Sequence, residues 1–297
     1  MSLAYSPFRL AGKYLRYYLT AANGRGHGIH SPFVFDFVVS VLNDRAVYPA
    51  YARVEGLRRR LLGDQTLLTI EDKGAGSAYA GTRSLSVAAI ARHAAKPARL
   101  GQLLFRIARH YRPATVVELG TSLGLSAAYL ALGAARASGA LGASGAAGAS
   151  GPFRAADSLG ASGALGGGVF TLEGAPAVAE AANRNLCSLG LDVNVVTGDF
   201  DETLLPLLGR LPGVELAFVD GNHRREPTLR YFDLLLRHCA RSAVLIFDDI
   251  HWSDEMEAAW VTIKNDPRVY LTIDLFFIGI VFLRDEFKVK QDFVIRF

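Results

Sequence analysis

Five apolar runs in this 297-residue chain end on acids: TVVEL at Glu118, VFTLE at Glu173, and three more that lead to Asp199, Asp220 and the pair Asp248-Asp249. If these runs are parallel strands, their C-terminal ends share one edge of a sheet, the edge at which open α/β sheets bind ligands. Carboxylates gathered there can accept hydrogen bonds from hydroxyls or hold a hard cation such as magnesium. Two histidines belong to the same pattern. His223 follows Asp220 by three residues and His251 follows Asp248 by three. An imidazole titrating near neutrality can take a proton from a hydroxyl, so His223 is the first candidate base and His251 the second. His27 and His30 flank a Gly-rich turn, where a turn role is favoured over metal binding.

The first of these runs opens into Glu118-Leu-Gly120-Thr-Ser-Leu-Gly124-Leu-Ser126. A glycine loop between strand and helix lets backbone approach a ligand and aims helix N–H groups at it. The spacing is not the GxGxxG of pyrophosphate-binding dinucleotide sites, which disfavours a nicotinamide oxidoreductase. A tight structural turn is the plain alternative. Glu173 lies 55 residues beyond Glu118, but 36 of those residues, 133–168, are an anomalous stretch in which 28 are Gly, Ala or Ser and ASGALG occurs twice. Without it the separation is 19 residues, close to the ~20 expected between a nucleotide loop and its ribose-binding acid. Helix capping is the alternative reading of Glu173 and of Asp248-Asp249.

Periodicity supplies the elements that would hold these residues. Residues 1–70 read as mostly helical, with candidates over Leu10–Thr20 and Pro32–Leu42, followed by a glycine-broken connection at Glu71–Ser77 and a helical pair, Ser84–Ala95 and Leu100–His110. Strands and helices then alternate: strands at Thr115–Leu119, Val169–Leu172, Asp192–Thr197, Leu216–Val219 and Ala243–Phe247, with helices between them and at Asp254–Asn265. This rhythm predicts an α/β fold with a Rossmann-like, doubly wound, mainly parallel sheet and an N-terminal helical region. Two closing strands, Leu271–Leu283 and Asp292–Phe297, are joined by too few residues for a crossover helix, so a C-terminal antiparallel hairpin is expected between them. The 133–168 stretch cannot bury enough surface to order itself and reads as a flexible insertion at the sheet edge opposite the acids.

Composition narrows the function classes. A chain 51% hydrophobic and 20% charged is not disordered overall. Two cysteines, Cys187 and Cys239, exclude a disulfide scaffold and suit a reducing, cytoplasmic setting. No membrane span is expected, because the most apolar run, Leu275–Leu283, falls far short of the ~20 residues required. Arg9, Lys13 and Arg16 interrupt the N-terminal apolar residues, unlike a secretory signal. Nine Lys/Arg against four Asp/Glu make residues 1–70 basic; a packed amphipathic cover helix explains this better than a nucleic-acid surface, since no compact basic stripe is present. The sequence does not set the oligomeric state; a homodimer is compatible with it.

The ordered set of strand ends resembles class I S-adenosylmethionine-dependent methyltransferases, over roughly two-thirds of the chain from Gly101 onward. VVELGTSLGLS looks like their first motif, LEG their ribose-binding acid and GDF their adenine-side loop. Gly101-Gln102 and the following helix resemble small-molecule O-methyltransferases of the catechol and caffeoyl-CoA type, while DGNH and DDIH resemble the macrocin type. The resemblance implies a cofactor-binding set of Gln102, Glu118, Gly120, Thr121, Ser122, Gly124, Ser126, Glu173, Gly174, Asp199, Phe200 and Asp220, with Glu173 at the ribose and Asp199 and Phe200 beside the adenine. It implies Mg²⁺ on Asp220, Asp248 and Asp249, where Asp249 departs from the usual asparagine, and catalysis by His223 with Asp220. Residues 1–95 would then be a helical cover and substrate region and 96–297 the cofactor-binding domain. The expected reaction is methyl transfer to a hydroxyl of a small-molecule acceptor, with a metal-independent methyltransferase of another acceptor class, or a non-catalytic nucleoside-binding protein, as alternatives.

Overall fold

The computed structural model describes residues 4–22, 24–26, 29–71, 82–135 and 164–297. In chain order its elements are α1 (Pro7–Thr20), α2 (Pro32–Phe37) continued by a π-helical turn over Val38–Leu42, α3 (Pro49–Gly63), β1 (Leu67–Glu71), β2 (Thr82–Ser86), α4 (Val87–Ala94) and α5 (Ala98–Tyr111). There follow β3 (Thr115–Leu119), α6 (Leu125–Ala134), β4 (Gly168–Glu173), α7 (Pro176–Ser188), β5 (Asn194–Thr197) and α8 (Phe200–Leu208). The chain closes with β6 (Val214–Val219), α9 (Arg225–His238), β7 (Cys239–Asp248), α10 (Asp254–Asn265), β8 (Leu271–Asp274), β9 (Ile278–Phe282) and β10 (Gln291–Val294). Strand–helix alternation with mainly parallel pairing makes the fold Rossmann-like, preceded by N-terminal helices. No described helix is long and apolar enough to cross a membrane.

Two compact units are present, and the N-terminal region contributes to both. One comprises Met1–Ala46, Thr115–Gly120 and Leu211–Phe297; the other comprises Val47–Ala114 and Thr121–Arg210.

In the first unit six strands lie in the order β10-β8-β9-β7-β6-β3. β6 pairs in parallel with β3 and with β7, and every residue of β3 and β9 is buried, as expected of strands covered on both faces. Helix α1 starts at Ser6, whose hydroxyl accepts the Arg9 N–H, with Pro7 at its first position. It packs through Tyr17 against Ala21 and Phe276, and the Tyr17 hydroxyl donates to the Ile295 carbonyl. An N-terminal helix is thus packed within this unit.

The C-terminal hairpin differs in its members from the expectation. Leu271–Leu283 is not one strand: it breaks at Leu275–Phe277, where Phe276 has φ +71°, into β8 and β9, which pair antiparallel. β10 does not pair with β9. It lies beyond β8 and runs parallel to it, entered through a hydrogen bond from the Gln291 N–H to the Tyr270 carbonyl. The short 283–290 loop does force β9 and β10 to run in opposite directions, but opposite direction does not require adjacency, and β8 occupies the place between them.

In the second unit β4 and β5 pair in parallel, with Glu173 opposite Thr197. α5 and α6 pack so closely that a Cβ on Gly101 would fall 2.5 Å from the Tyr129 ring. The buried Tyr129 hydroxyl donates to Glu55 (2.8 Å), and burial raises its pKa, with that bond adding to the shift. The antiparallel pair β1 and β2 and the helix α3 belong to this unit. The sequence pattern marks neither as a distinct element. Of the expected insertion, Gly133 and Ala134 are the last turn of α6 and Gly168 starts β4, while 136–163 lie outside the described residues, as do His27 and residues 72–81.

Candidate active site

The glycine loop leaves β3 under tight constraint. The Asp220 N–H donates to the Leu119 carbonyl at 2.8 Å, and Gly120 follows at φ +103°. A Cβ on Gly120 would stand 2.0 Å from the Asp220 carbonyl oxygen, so only hydrogen fits there. Glu118 is completely buried one residue before the strand end. These residues, with the ends of β6 and β7, belong to the first unit.

At the end of β6, Asp220 and His223 are half-buried, with the His223 Nε2 3.6 Å from the Asp220 Oδ1. The turn between them is held by Asn222, at φ +65°, whose side-chain amide donates to the Tyr231 hydroxyl at 2.7 Å. Asp248, at the end of β7, is 1% exposed. One ligand atom from each of Asp220, His223 and Asp248 lies within 4.8 Å of the other two. Asp249, the third of the carboxylates expected to hold a metal, is not in that group. Its backbone turns at φ +52°, its N–H donates to the Phe277 carbonyl (2.7 Å), and its own carbonyl accepts from the Trp252 N–H (2.9 Å).

His251, the second candidate base, is engaged elsewhere. Its Nδ1 faces Glu257 Oε1 and its Nε2 faces Asp274 Oδ2, both at 2.9 Å. With a carboxylate on each nitrogen, both must carry protons, which leaves no lone pair for a substrate proton. Burial works against that charge, but the two carboxylates outweigh it and hold the pKa above the ordinary histidine value. The residues that clamp it, Glu257 and Asp274, lie outside the strand-end pattern of the sequence.

The rest of the loop and Glu173 belong to the second unit. The Thr121 N–H donates to the Leu172 carbonyl (3.1 Å), and the Thr121 and Thr171 hydroxyls are 2.6 Å apart in a buried pair. Ser122, at φ +46°, points its N–H at Glu173 Oε2 (2.8 Å), and the Ala175 N–H donates to Oε1 (3.0 Å). Glu173 is thus tied directly to the glycine loop, 51 residues away in sequence. Burial raises its pKa above the usual glutamate value, against the opposing pull of these backbone N–H groups. Three backbone N–H groups, of Ala175, Ser122 and Gly174, thus act on a carboxylate with about four lone-pair sites, which leaves room for one ligand hydroxyl. Gly124, at φ +85°, precedes the first residue of α6, Ser126 follows within it, Gln102 is half-buried in α5, and Gly174 is exposed. Asp199 caps α8 by accepting the Asp201 N–H (2.8 Å), and Phe200 is the first residue of that helix.

Residues 117–250, the span from β3 through the end of β7, match the family described as "Methyltransferase domain". The match spans less than half of the chain. The matched span holds every candidate site residue except Gln102 and His251. A stretch of 64 residues is 31% identical to an uncharacterized protein of Acanthamoeba polyphaga mimivirus, covering 20% of this chain and 29% of that protein's length. Among solved structures, an SAH-bound methyltransferase of Podospora anserina superposes with a TM-score of 0.52 at 15% identity, over 86% of this chain and 97% of that one. The O-methyltransferase TomG of Streptomyces achromogenes, in complex with SAM, gives a TM-score of 0.50 at 17% identity, over 84% and 96% of the two chains. At these identities the likeness is one of fold.

Proposed function

We propose that the chain transfers the methyl group of S-adenosylmethionine to a hydroxyl of a small molecule in the cytoplasm. The observation that carries this reading is the convergence of Asp220, His223 and Asp248 within a methyltransferase domain. Further support comes from the similar TomG structure, which is an O-methyltransferase involved in tomaymycin synthesis and holds SAM.

Each expected residue receives a role. Backbone along Glu118–Ser126, including Gly120, Thr121, Ser122 and Gly124, faces the methionine part of the cofactor. Glu173, oriented by the Ser122 and Ala175 N–H groups, accepts a ribose hydroxyl beside Gly174. Asp199 and Phe200 border the adenine, and Gln102 completes the set. The acceptor hydroxyl gives its proton to His223 Nε2 as its oxygen bonds to the methyl carbon and the carbon–sulfur bond breaks. Asp220, 3.6 Å from that nitrogen, stabilises the imidazolium that results. Residues 1–95 supply acceptor recognition.

The donor set also fits a divalent cation. Asp220 and Asp248 offer the oxygens that Mg²⁺ prefers, and the imidazole of His223 adds a ligand that suits Mn²⁺ or Zn²⁺ at least as well. A cation held there would acidify the acceptor hydroxyl. His223 would then ligate, and the base would have to be another group, so the metal-dependent and metal-independent readings assign this residue differently.

Calorimetric titration with S-adenosylmethionine, SAH and NAD⁺ tests the cofactor assignment. The first two bind and NAD⁺ does not; binding of NAD⁺ alone overturns it.

A further inference from the structure

Helix α1 turns two of its cations, Arg9 and Lys13, toward the rest of its own unit. Arg9 meets Asp254 at 2.9 Å, and Lys13 Nζ lies 2.9 Å from both carboxylate oxygens of Glu257. The Tyr5 hydroxyl is 2.7 Å from Asp254 and 2.8 Å from Glu257. Behind Glu257 the chain of charges continues through His251 to Asp274, which also accepts the Trp260 indole N–H (3.2 Å) and the Phe276 backbone N–H (2.8 Å). Three cations (Arg9, Lys13, His251) face three carboxylates (Asp254, Glu257, Asp274), so the network is neutral as a whole.

The backbone adds a direct tie to the site. The Tyr5 N–H donates to the Trp252 carbonyl at 3.0 Å, and the Trp252 ring lies 6.4 Å from that of His223. Trp252 is 42% exposed. An isolated exposed ion pair would hold little. Here, though, every oxygen of Glu257 is used and its neighbours are half-buried or buried, so removing one link leaves a charge without its partner in a desolvated place.

We propose that the Lys13–Glu257–His251–Asp274 chain is a latch by which the N-terminal segment from Tyr5 to Lys13 sets the position of the 250–253 loop, and so of Trp252 beside His223. Lys13, Glu257 and His251 are positioning residues, and the acceptor side of the site is complete only with the latch closed. That last clause rests on the methyl-transfer reading; the latch itself does not. The far end of α1 has its own anchor, since Tyr17 is buried and its hydroxyl donates to the Ile295 carbonyl. Opening the latch therefore frees the first half of α1 and the Trp252 loop while the second half stays docked.

Two readouts on the full-length chain test this. Acrylamide quenching reports Trp252, because the only other tryptophan, Trp260, is 2% exposed. Amide exchange reports the Tyr5 N–H and the backbone of α1. In Lys13→Met and in Glu257→Gln we expect about twofold stronger quenching and roughly tenfold faster exchange at Tyr5, with the amide of Ala21 unchanged, as for a local rather than global opening. Lys13→Arg restores both, and SAH affinity measured by calorimetry stays within about twofold. The latch is overturned if quenching and Tyr5 exchange do not move in either variant, or if protection falls along the whole of α1 together with SAH affinity, the mark of general fold support. Failure of the wild-type chain to bind SAH would instead sink the cofactor reading while leaving the latch readouts standing.

Discussion

The His223 Nε2 stands 3.6 Å from the Asp220 Oδ1 across the turn that ends β6. That gap is slightly longer than a hydrogen bond, and catalytic contacts of this kind commonly tighten only with substrate in place. Asp248, nearly fully buried, reaches the same point from the next strand. Removing the imidazole should therefore remove proton transfer and little else. For His223→Ala we expect methyl transfer to fall by about 10²–10⁴-fold with SAH affinity preserved, checked by product mass spectrometry against calorimetry on the same preparation. An equal loss of cofactor affinity would move His223 out of the catalytic role.

Gly120 carries a different burden. A methyl group there meets the Asp220 carbonyl oxygen at 2.0 Å, in a backbone conformation that disfavours side chains. Gly120→Ala should cost about 1–3 kcal/mol from strain alone and more from the displaced β6 end. Thermal unfolding measures it, and an unchanged melting temperature would show that the strand ends are looser than the structure has them.

Glu173 sets a pH dependence. Burial raises its folded pKa above 4.5, so as pH falls the carboxylate is neutralised earlier than an ordinary glutamate. The protonated group carries an O–H where the Ser122 and Ala175 N–H groups and a ribose hydroxyl all require an acceptor. Cofactor affinity should decline as pH falls through an inflection above 4.5. In Glu173→Gln that inflection should disappear, with affinity below that of the wild type where its carboxylate is ionised. Titration of SAH binding against pH checks both outcomes.

A metal at Asp220, His223 and Asp248 would be visible without any acceptor. Mn²⁺ added to the full chain should lose free-ion electron paramagnetic resonance signal, and Asp248→Asn should restore it. If Mn²⁺ does not bind and a chelator leaves turnover intact, the metal-independent reading holds and His223 remains the base.

Much of the strand framework was legible because its signals are local. β3 spans Thr115–Leu119 as its apolar run predicted, since both faces are buried and no alternation is needed. The Glu118 and Glu173 spacing, corrected for the anomalous stretch, anticipated a relation that the Ser122–Glu173 hydrogen bond makes physical. What escaped was non-local or depended on backbone conformation. Helix α3 interrupts its apolar pattern with Gly56 and the run Arg58–Arg60, which blurs the helical period. The break at Phe276 puts a bulky residue at φ +71°, a choice no propensity favours. His251 looked like a base because it follows an acidic strand end, while the carboxylates that occupy it come from α10 and β8. Asp249 stands outside the group of Asp220, His223 and Asp248, and its backbone is left-handed, which sequence spacing alone does not reveal.

Transfer of a labelled methyl group is the most direct test of the central claim. The full-length chain, given methyl-labelled S-adenosylmethionine and a panel of hydroxylated small molecules, should place the label on an acceptor oxygen, and His223→Ala and Asp220→Asn should each lower that product by about 100-fold or more. Label found on nitrogen or carbon only, or transfer undiminished in both variants, would contradict it.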